Sequence, residues 1–95
     1  MDGIEGRRLI ITGVVQGVGF RYHMTCEARR LGVTGWVSNR RDGSVEANIV
    51  GTSESVATMI AWARRGPATA LVEQVTVEDI EPLMQFRDFI TTVIE

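Results

Sequence analysis

A short stretch near the N-terminus carries residue types that can hold an anion. In VVQGVGFRYH (14–23), Gly17 and Gly19 come just before Arg21. Glycine lets the backbone adopt positive φ, so successive N–H groups can converge on an anion. The first turn of a helix adds unpaired N–H donors, and the arginine fork suits two phosphate or carboxylate oxygens. The stretch predicts an oxyanion cradle; a tight turn with an exposed arginine is the alternative.

Two common nucleotide-binding motifs are absent from this stretch. No Gly-Lys-Ser/Thr follows the glycines, as a Walker loop requires, and no G-x-G-x-x-G fingerprint occurs. Nucleotide binding of these two types is therefore disfavoured.

Asn39 is the second candidate for chemistry. It ends GWVSN (35–39), and in a β-α-β-β order the far end of that strand can approach the first loop. Its amide oxygen can accept a hydrogen bond from a water and its NH₂ can donate one, so Asn39 could orient a nucleophilic water without an ionisable base. Alternatively, Asn39 only begins the Asn-Arg-Arg-Asp-Gly turn, where asparagine is favoured.

Other polar and aromatic residues point to structure rather than chemistry. His23 has no carboxylate or serine at motif spacing and is expected on the surface, while Cys26 is a mid-helix thiol. Trp36 and Trp62 are expected to pack against neighbours. No His/Asp/Glu cluster has metal-ligand spacing, so we expect neither a metal nor another cofactor.

Composition narrows the class of protein. The 95 residues predict one domain with a modest core, since 44% of them are hydrophobic. Ten arginines against twelve acidic residues give a net charge of −2, which argues against nucleic-acid binding. A lone cysteine excludes an internal disulfide. Without a signal-like segment or an apolar run of about 20 residues, we expect a soluble, cytoplasmic protein with no membrane partner.

The hydrophobic pattern predicts alternating strands and helices. An apolar run over 7–15 predicts a strand, and apolar residues at i, i+4 and i+7 predict a helix over 21–31 that ends at Gly32. Strands over 34–40 and 44–50 would form a hairpin around Asp42-Gly43, a dipeptide typical of a type I′ turn.

The second half repeats the alternation. Thr52 or Ser53 would cap a second helix that ends at Gly66-Pro67, followed by a strand over 71–80. The tail DFITTVIE offers a possible short fifth strand. The order β-α-β-β-α-β predicts an α+β, ferredoxin-like sandwich with a mainly antiparallel sheet and two helices on one face.

Four blocks of the sequence closely resemble the acylphosphatases: VQGVGFR (15–21), LGVTGWVSN (31–39), DGSVEANIVG (42–51) and GPATALV (66–72). They stand in the family's order and spacing, and the resemblance covers roughly residues 8–90. It implies a ferredoxin-like enzyme that hydrolyses the carboxyl–phosphate bond of small acylphosphates. The products would be a carboxylate and inorganic phosphate, with no metal or organic cofactor, and nothing in the sequence requires more than a monomer.

The resemblance also assigns roles to residues. Backbone N–H groups of the phosphate-binding loop would come from Gln16, Gly17, Val18, Gly19 and Phe20. Arg21 corresponds to the catalytic arginine and Asn39 to the water-orienting asparagine. Two departures stand out, since Arg40 replaces a common threonine and DFITTVIE matches the family's last strand only loosely.

Two other classes of function compete with the enzyme. A binding module would use the same cradle to hold a phosphate or carboxylate ligand without turnover, but it would not need a water-orienting amide at Asn39. An interaction domain would present a sheet edge to a partner and would have no anion site. The sequence favours the enzyme and leaves its physiological acylphosphate open.

Overall fold

The described residues form five strands and two helices. The computed structural model describes residues 3–82 and 87–93. In chain order the elements are β1 (Ile4–Val14), α1 (Phe20–Leu31), β2 (Thr34–Asn39), β3 (Val45–Thr52), α2 (Ser53–Arg65), β4 (Leu71–Ile80) and β5 (Phe89–Val93). This confirms the predicted order and the fifth strand within DFITTVIE; residues 94 and 95 of that stretch lie outside the described residues.

The strands form one sheet in the order β4-β1-β3-β2-β5. β1 pairs antiparallel with β3 and β4, and β2 pairs antiparallel with β3. β5 pairs with β2 in parallel. The sheet is therefore mainly antiparallel, as predicted, with one parallel pair at an edge.

The core lies between the helices and one face of the sheet. Alternation along β1 and β3 turns every second side chain toward the helices, and Leu9 pairs with Ala47 in that layer. Helix α1 packs over β2 and β5, while α2 packs over β1, β3 and β4. The helices contribute fully or almost fully buried side chains from their apolar stripes: Phe20, Met24, Ala28, Val56, Met59 and Ala63.

Capping residues fix both ends of α2 and the C-terminal end of α1. Thr52, rather than Ser53, is the N-cap of α2, because its hydroxyl oxygen accepts a hydrogen bond from the Ser55 N–H at 3.2 Å. Gly32 ends α1 in the left-handed conformation with φ 75°, and Gly66 is the C-cap of α2. Both glycine stops agree with the sequence prediction.

The hairpin between β2 and β3 differs from the predicted type I′ turn. A type I′ turn needs positive φ at both central residues, yet Asp42 has negative φ and only Gly43 is left-handed, at 94°. The Gly43 N–H donates to the Arg40 carbonyl at 3.2 Å, and the Arg40 N–H donates to the Ser44 carbonyl at 2.8 Å. The hairpin therefore has a three-residue loop whose last residue is the left-handed glycine.

The Asp42 side chain explains why the longer loop forms. Its carboxylate accepts hydrogen bonds from the N–H (2.9 Å) and the hydroxyl (2.5 Å) of Ser44. These bonds stabilise the backbone that follows Asp42, and they hold the pKa of the Asp42 carboxyl below its ordinary value of 3.8. The prediction of a type I′ turn rested on the dipeptide Asp42-Gly43 alone and did not include these hydrogen bonds, because Ser44 lies outside the dipeptide.

One glycine is required by close contact between strands. Gly35 of β2 has φ 131°, and a Cβ at this position would lie 1.9 Å from the Asn48 carbonyl oxygen of β3. No other residue fits without moving one of the two strands, so Gly35 sets how closely β2 approaches β3.

We expect Gly35→Ala to reduce the free energy of unfolding by roughly 3 kcal/mol or more, because steric overlap adds to backbone strain. Gly43→Ala is the matched control, since Gly43 also has positive φ but has open space around its Cβ position. It should cost only about 1–2 kcal/mol. Urea unfolding of both variants measures the difference, and equal losses would show that the contact with Asn48 is unimportant.

Candidate active site

The loop between β1 and α1 has the backbone geometry of an anion cradle. Gly17 and Gly19 are both left-handed, with φ of 74° and 80°. Gly19 is the N-cap of α1 and no side chain caps this end of the helix. The N–H groups of the first turn are therefore not bonded by a capping side chain, and the loop glycines precede them directly. The arrangement favours an anion at the helix N-terminus.

A cavity of about 320 Å³ brings the predicted site residues together. Gly17, Gly19, Phe20 and Arg21 line it from the loop and α1, and Asn39 lines it from the end of β2. Gln16 and Val18 are not among its lining residues. Among the described residues, the lining is Val15, Gly17, Gly19, Phe20, Arg21, Tyr22, Thr25, Cys26, Arg29, Asn39 and Thr91.

The Arg21 guanidinium is free to bind a ligand. Within residues 3–82 and 87–93 it makes no ion pair and no hydrogen bond, whereas the Arg8 guanidinium pairs with Glu46 and Glu78. An arginine without a carboxylate partner keeps its full charge and its five N–H donors for an incoming anion. Arg21 is half-buried at the cavity wall, where water screens its charge less than on an open surface.

Asn39 lines the cavity and carries a buried amide oxygen that has no partner among the described residues. Its Oδ1 atom is buried and accepts no hydrogen bond from any part of the chain that the structure describes. A buried acceptor without a donor costs about 1–3 kcal/mol, so a donor that reached Oδ1 from the cavity would be stabilised. A water molecule is such a donor.

The Gln16 side chain joins the loop to the hairpin. Its Nε2 group donates hydrogen bonds to the carbonyls of Arg40 (2.7 Å) and Ser44 (2.9 Å). The sequence predicted only a backbone role for Gln16. The structure shows that its side chain ties the cradle to the residues that directly follow Asn39.

Two further contacts hold the loop from other directions. The Val18 carbonyl accepts a hydrogen bond from the Thr69 hydroxyl at 2.6 Å, which gives the GPATALV block a contact with the cradle. The Phe20 ring is buried, and its centre lies 5.3 Å from that of Trp62. Trp62 is therefore a packing residue, as predicted, and the cradle backbone is braced on several sides.

Several lining residues were not predicted from the sequence. Tyr22, Thr25, Arg29 and Thr91 contribute to the cavity, and the Thr25 and Thr91 hydroxyls lie 3.3 Å apart. The spacing of Arg21, Thr25 and Arg29, at i, i+4 and i+8, was a usable signal because such residues share one helix face. Thr91 had no local signal, since the pairing of β5 with β2 brings it there.

His23 lies on the surface and Cys26 in the middle of α1, as expected from the sequence. His23 is exposed and its ring meets Tyr22 edge-on, with centres 5.3 Å apart. Cys26 is an exposed free thiol, although it lines the cavity. Across the described ranges, no group of three or more His, Cys, Asp or Glu residues could hold a metal ion. Neither described helix has the length and apolar character needed to cross a membrane.

The fold and the cavity together define a class of protein. It is a ferredoxin-like domain in which backbone donors, an arginine fork and an asparagine amide surround one space, an arrangement suited to a phosphoryl group. The acylphosphatase family model matches residues 7–91. The chain belongs to the acylphosphatase family.

Individual relatives agree with the family assignment. The acylphosphatase of Thiobacillus denitrificans is 58% identical over 73 residues, which are 77% of this chain and 82% of that protein. The crystal structure of acylphosphatase from Bacillus subtilis superposes with a TM-score of 0.88 at 32% identity, covering 93% of this chain and 98% of that one. An acylphosphatase from Coxiella burnetii gives a TM-score of 0.89 at 32% identity, covering 94% and 93%.

These comparisons confirm the predicted family, fold and reaction. The protein is a hydrolase that acts on small acylphosphates, splitting the carboxyl–phosphate bond into a carboxylate and inorganic phosphate.

Inorganic phosphate should raise the melting temperature of the protein by several degrees at saturation, because a ligand present at about 100 times its Kd stabilises the folded state by about 2.7 kcal/mol. Arg21→Gln should remove most of this shift. Arg64→Gln is the control, since Arg64 is exposed on α2 and lies outside the cavity. Thermal unfolding in phosphate and in chloride of equal ionic strength tests the site; an unchanged shift in Arg21→Gln contradicts it.

Proposed function

We propose that hydrolysis takes place in the cavity at the β1–α1 loop. The loop amides of residues 16–20 and the guanidinium of Arg21 bind the phosphoryl group, and Asn39 orients the attacking water. One observation carries the proposal: a single cavity joins the two left-handed glycines to Arg21 and Asn39, and among the described residues neither the Arg21 guanidinium nor the buried Asn39 Oδ1 has a partner.

Binding of the phosphoryl group accounts for most of the catalysis in this mechanism. Negative charge lies on the non-bridging oxygens during phosphoryl transfer, so fixed donors aimed at them stabilise the transition state. Each well-placed donor contributes about 3 kcal/mol. The left-handed glycines let several N–H groups point the same way, and the helix N-terminus and Arg21 add positive charge without a metal ion.

Asn39 acts on the other reactant. Its Oδ1 accepts a hydrogen bond from a water and holds the water oxygen in line with the bond to be broken. As the new bond from water oxygen to phosphorus forms, the bond from phosphorus to the carboxyl oxygen breaks, and the carboxylate leaves with the electron pair. Carboxylate is a good leaving group and needs little acid catalysis. Since asparagine is too weak a base, the water proton passes to a phosphate oxygen.

Arg40, which replaces a common threonine, leaves this arrangement intact. Its carbonyl accepts the hydrogen bond from Gln16, and its N–H bonds to Ser44. The support next to Asn39 therefore comes from the backbone of Arg40, which does not depend on the side chain. The Arg40 guanidinium lies 3.9 Å from the Asp42 carboxylate, which partly offsets its charge.

We also propose that residues 1–95 act as a single domain and a monomer in the cytoplasm. The β1–α1 loop, Arg21 and Asn39 already line one cavity within a single copy of the chain. The lone cysteine is an exposed free thiol, which suits a reducing compartment. The net charge of −2 gives no electrostatic attraction to nucleic acid.

Benzoyl phosphate should be hydrolysed by the purified protein in the presence of a chelator, and Asn39→Ala should lower kcat by about 100-fold or more because the water loses its position. The variant should still bind inorganic phosphate, measured as competitive inhibition or as a rise in melting temperature. Phosphate binding without turnover in the wild-type protein would overturn the mechanism and favour a binding module. Hydrolysis that persists in Asn39→Ala would show that Asn39 does not orient the attacking water.

Gln16→Met should lower kcat by roughly tenfold or more, because the tether between the cradle and the hairpin is lost and small misplacements are costly. The inhibition constant of phosphate should change much less, since the loop amides remain. Gln74→Met is the matched control on the exposed face of β4. A Gln16→Met enzyme with the kcat of the control would show that the tether does not position Asn39.

A further inference from the structure

The cavity extends well beyond the space that a phosphoryl group fills. Its volume of about 320 Å³ is of the size that holds a small organic ligand. Arg21, Thr25 and Arg29 line it from successive turns of α1, so the cavity follows the helix. Eight residues of helix span roughly 12 Å. Arg29 therefore marks an end of the cavity distant from the cradle.

Arg29 differs from Arg21 in having a carboxylate partner. Its Nε and Nη2 atoms donate to the two oxygens of Asp88 at 3.0 and 3.1 Å. A guanidinium has five N–H donors, and the described ranges of the chain offer no partner to the other three. Arg29 is thus held in place by Asp88 and still has donors available to a ligand; its side chain is 56% exposed.

Asp88 remains ionised in this pair. The Arg29 guanidinium, together with the Phe89 N–H at 2.7 Å, holds the pKa of the Asp88 carboxyl below its ordinary value of 3.8. Asp88 therefore offsets part of the Arg29 charge at neutral pH. Removal of the Asp88 charge should strengthen the attraction of Arg29 for an anion.

We propose that the part of the cavity around Thr25 and Arg29 is an acyl-group subsite in which Arg29 donates hydrogen bonds to a carboxylate at the far end of the acyl chain. The preferred substrates are monoacyl phosphates of dicarboxylic acids, over acyl phosphates of the same length that end in a methyl group. This substrate class rests on the proposed function, which places the phosphoryl group in the cradle.

The length of the acyl chain decides whether the subsite is used. Acetyl and benzoyl groups end close to the phosphoryl group and do not reach Arg29. With bonds of about 1.5 Å, an extended chain of about six carbons, together with its link to phosphorus, covers much of the roughly 12 Å along α1. Adipoyl phosphate and hexanoyl phosphate are therefore a matched pair, since both have six carbons and only the first ends in a carboxylate.

The test is the ratio of kcat/KM for adipoyl phosphate to that for hexanoyl phosphate. We expect wild-type protein to prefer adipoyl phosphate by about threefold or more, within the range that a partly exposed ion pair contributes. Arg29→Gln should lower the ratio toward one, and Asp88→Asn should raise it because the guanidinium is no longer compensated. If the two variants change the ratio in the same direction, or leave it unchanged, the proposal is overturned. The ion pair of Arg29 and Asp88 would then serve only to hold β5 against α1.

Arg29→Lys keeps the test valid if Asp88→Asn fails to fold. Lysine keeps the charge but loses the paired hydrogen bonds to Asp88, so the ratio should stay above that of Arg29→Gln; equal ratios would contradict the subsite.

Hydrolysis of hexanoyl phosphate distinguishes failure of the subsite from failure of the proposed mechanism. If it depends on Asn39 while the ratio ignores Arg29, only the subsite fails, whereas turnover independent of Asn39 rejects the proposed mechanism itself.

Discussion

The geometry of the candidate site depends on the pairing register of three neighbouring strands, β1, β3 and β2. Ile11 of β1 and Asn39 of β2 both pair with Val45, so Asn39 lies two strand spacings, roughly 10 Å, from β1. The loop that follows β1 starts only a few residues later. A slip of one residue would turn Asn39 to the opposite face of the sheet. Gly35, which lets β2 lie close to β3, helps to fix this register.

Backbone pairing sets the approximate position of the site, and side-chain hydrogen bonds set the finer geometry. Arg21 lies in the first turn of α1 and Asn39 is the last residue of β2, so pairing within the sheet leaves the loops next to them adjustable. Gln16 joins the cradle to the hairpin after Asn39, and Thr69 holds the Val18 carbonyl from the α2–β4 connection. These bonds act on backbone atoms, which explains how the neighbouring position tolerates Arg40.

Two arginines on one face of α1 stand in different electrostatic surroundings. Arg21 has no carboxylate partner within the described ranges and keeps its whole charge, which suits a phosphoryl group. Arg29 is paired with Asp88 and keeps only part of its charge together with unused donors. In the binding mode that we propose, this difference orients an elongated substrate, with the phosphoryl group at the helix N-terminus and the acyl chain along α1. It arises from β5, because Asp88 directly precedes that strand.

The order of elements, the glycine stops and the buried stripes were readable from the sequence, because they depend on local periodicity and backbone conformation. Gly17, Gly19 and Arg21 were readable as candidates for an anion cradle, and the family resemblance supplied the rest of the loop. Asn39 was readable as a candidate, although the family resemblance rather than its spacing gave it a role. The predicted type of hairpin turn was wrong, because the hydrogen bonds from Ser44, which lies outside the Asp42-Gly43 dipeptide, favour the longer loop. Tertiary structure alone decided three sets of contacts. These are the hydrogen bonds of the Gln16 side chain, the contact of Thr69 with the loop, and the approach of Asp88 and Thr91 to α1. They join residues 24 to 66 positions apart, and no local pattern encodes a contact that forms only when the sheet closes.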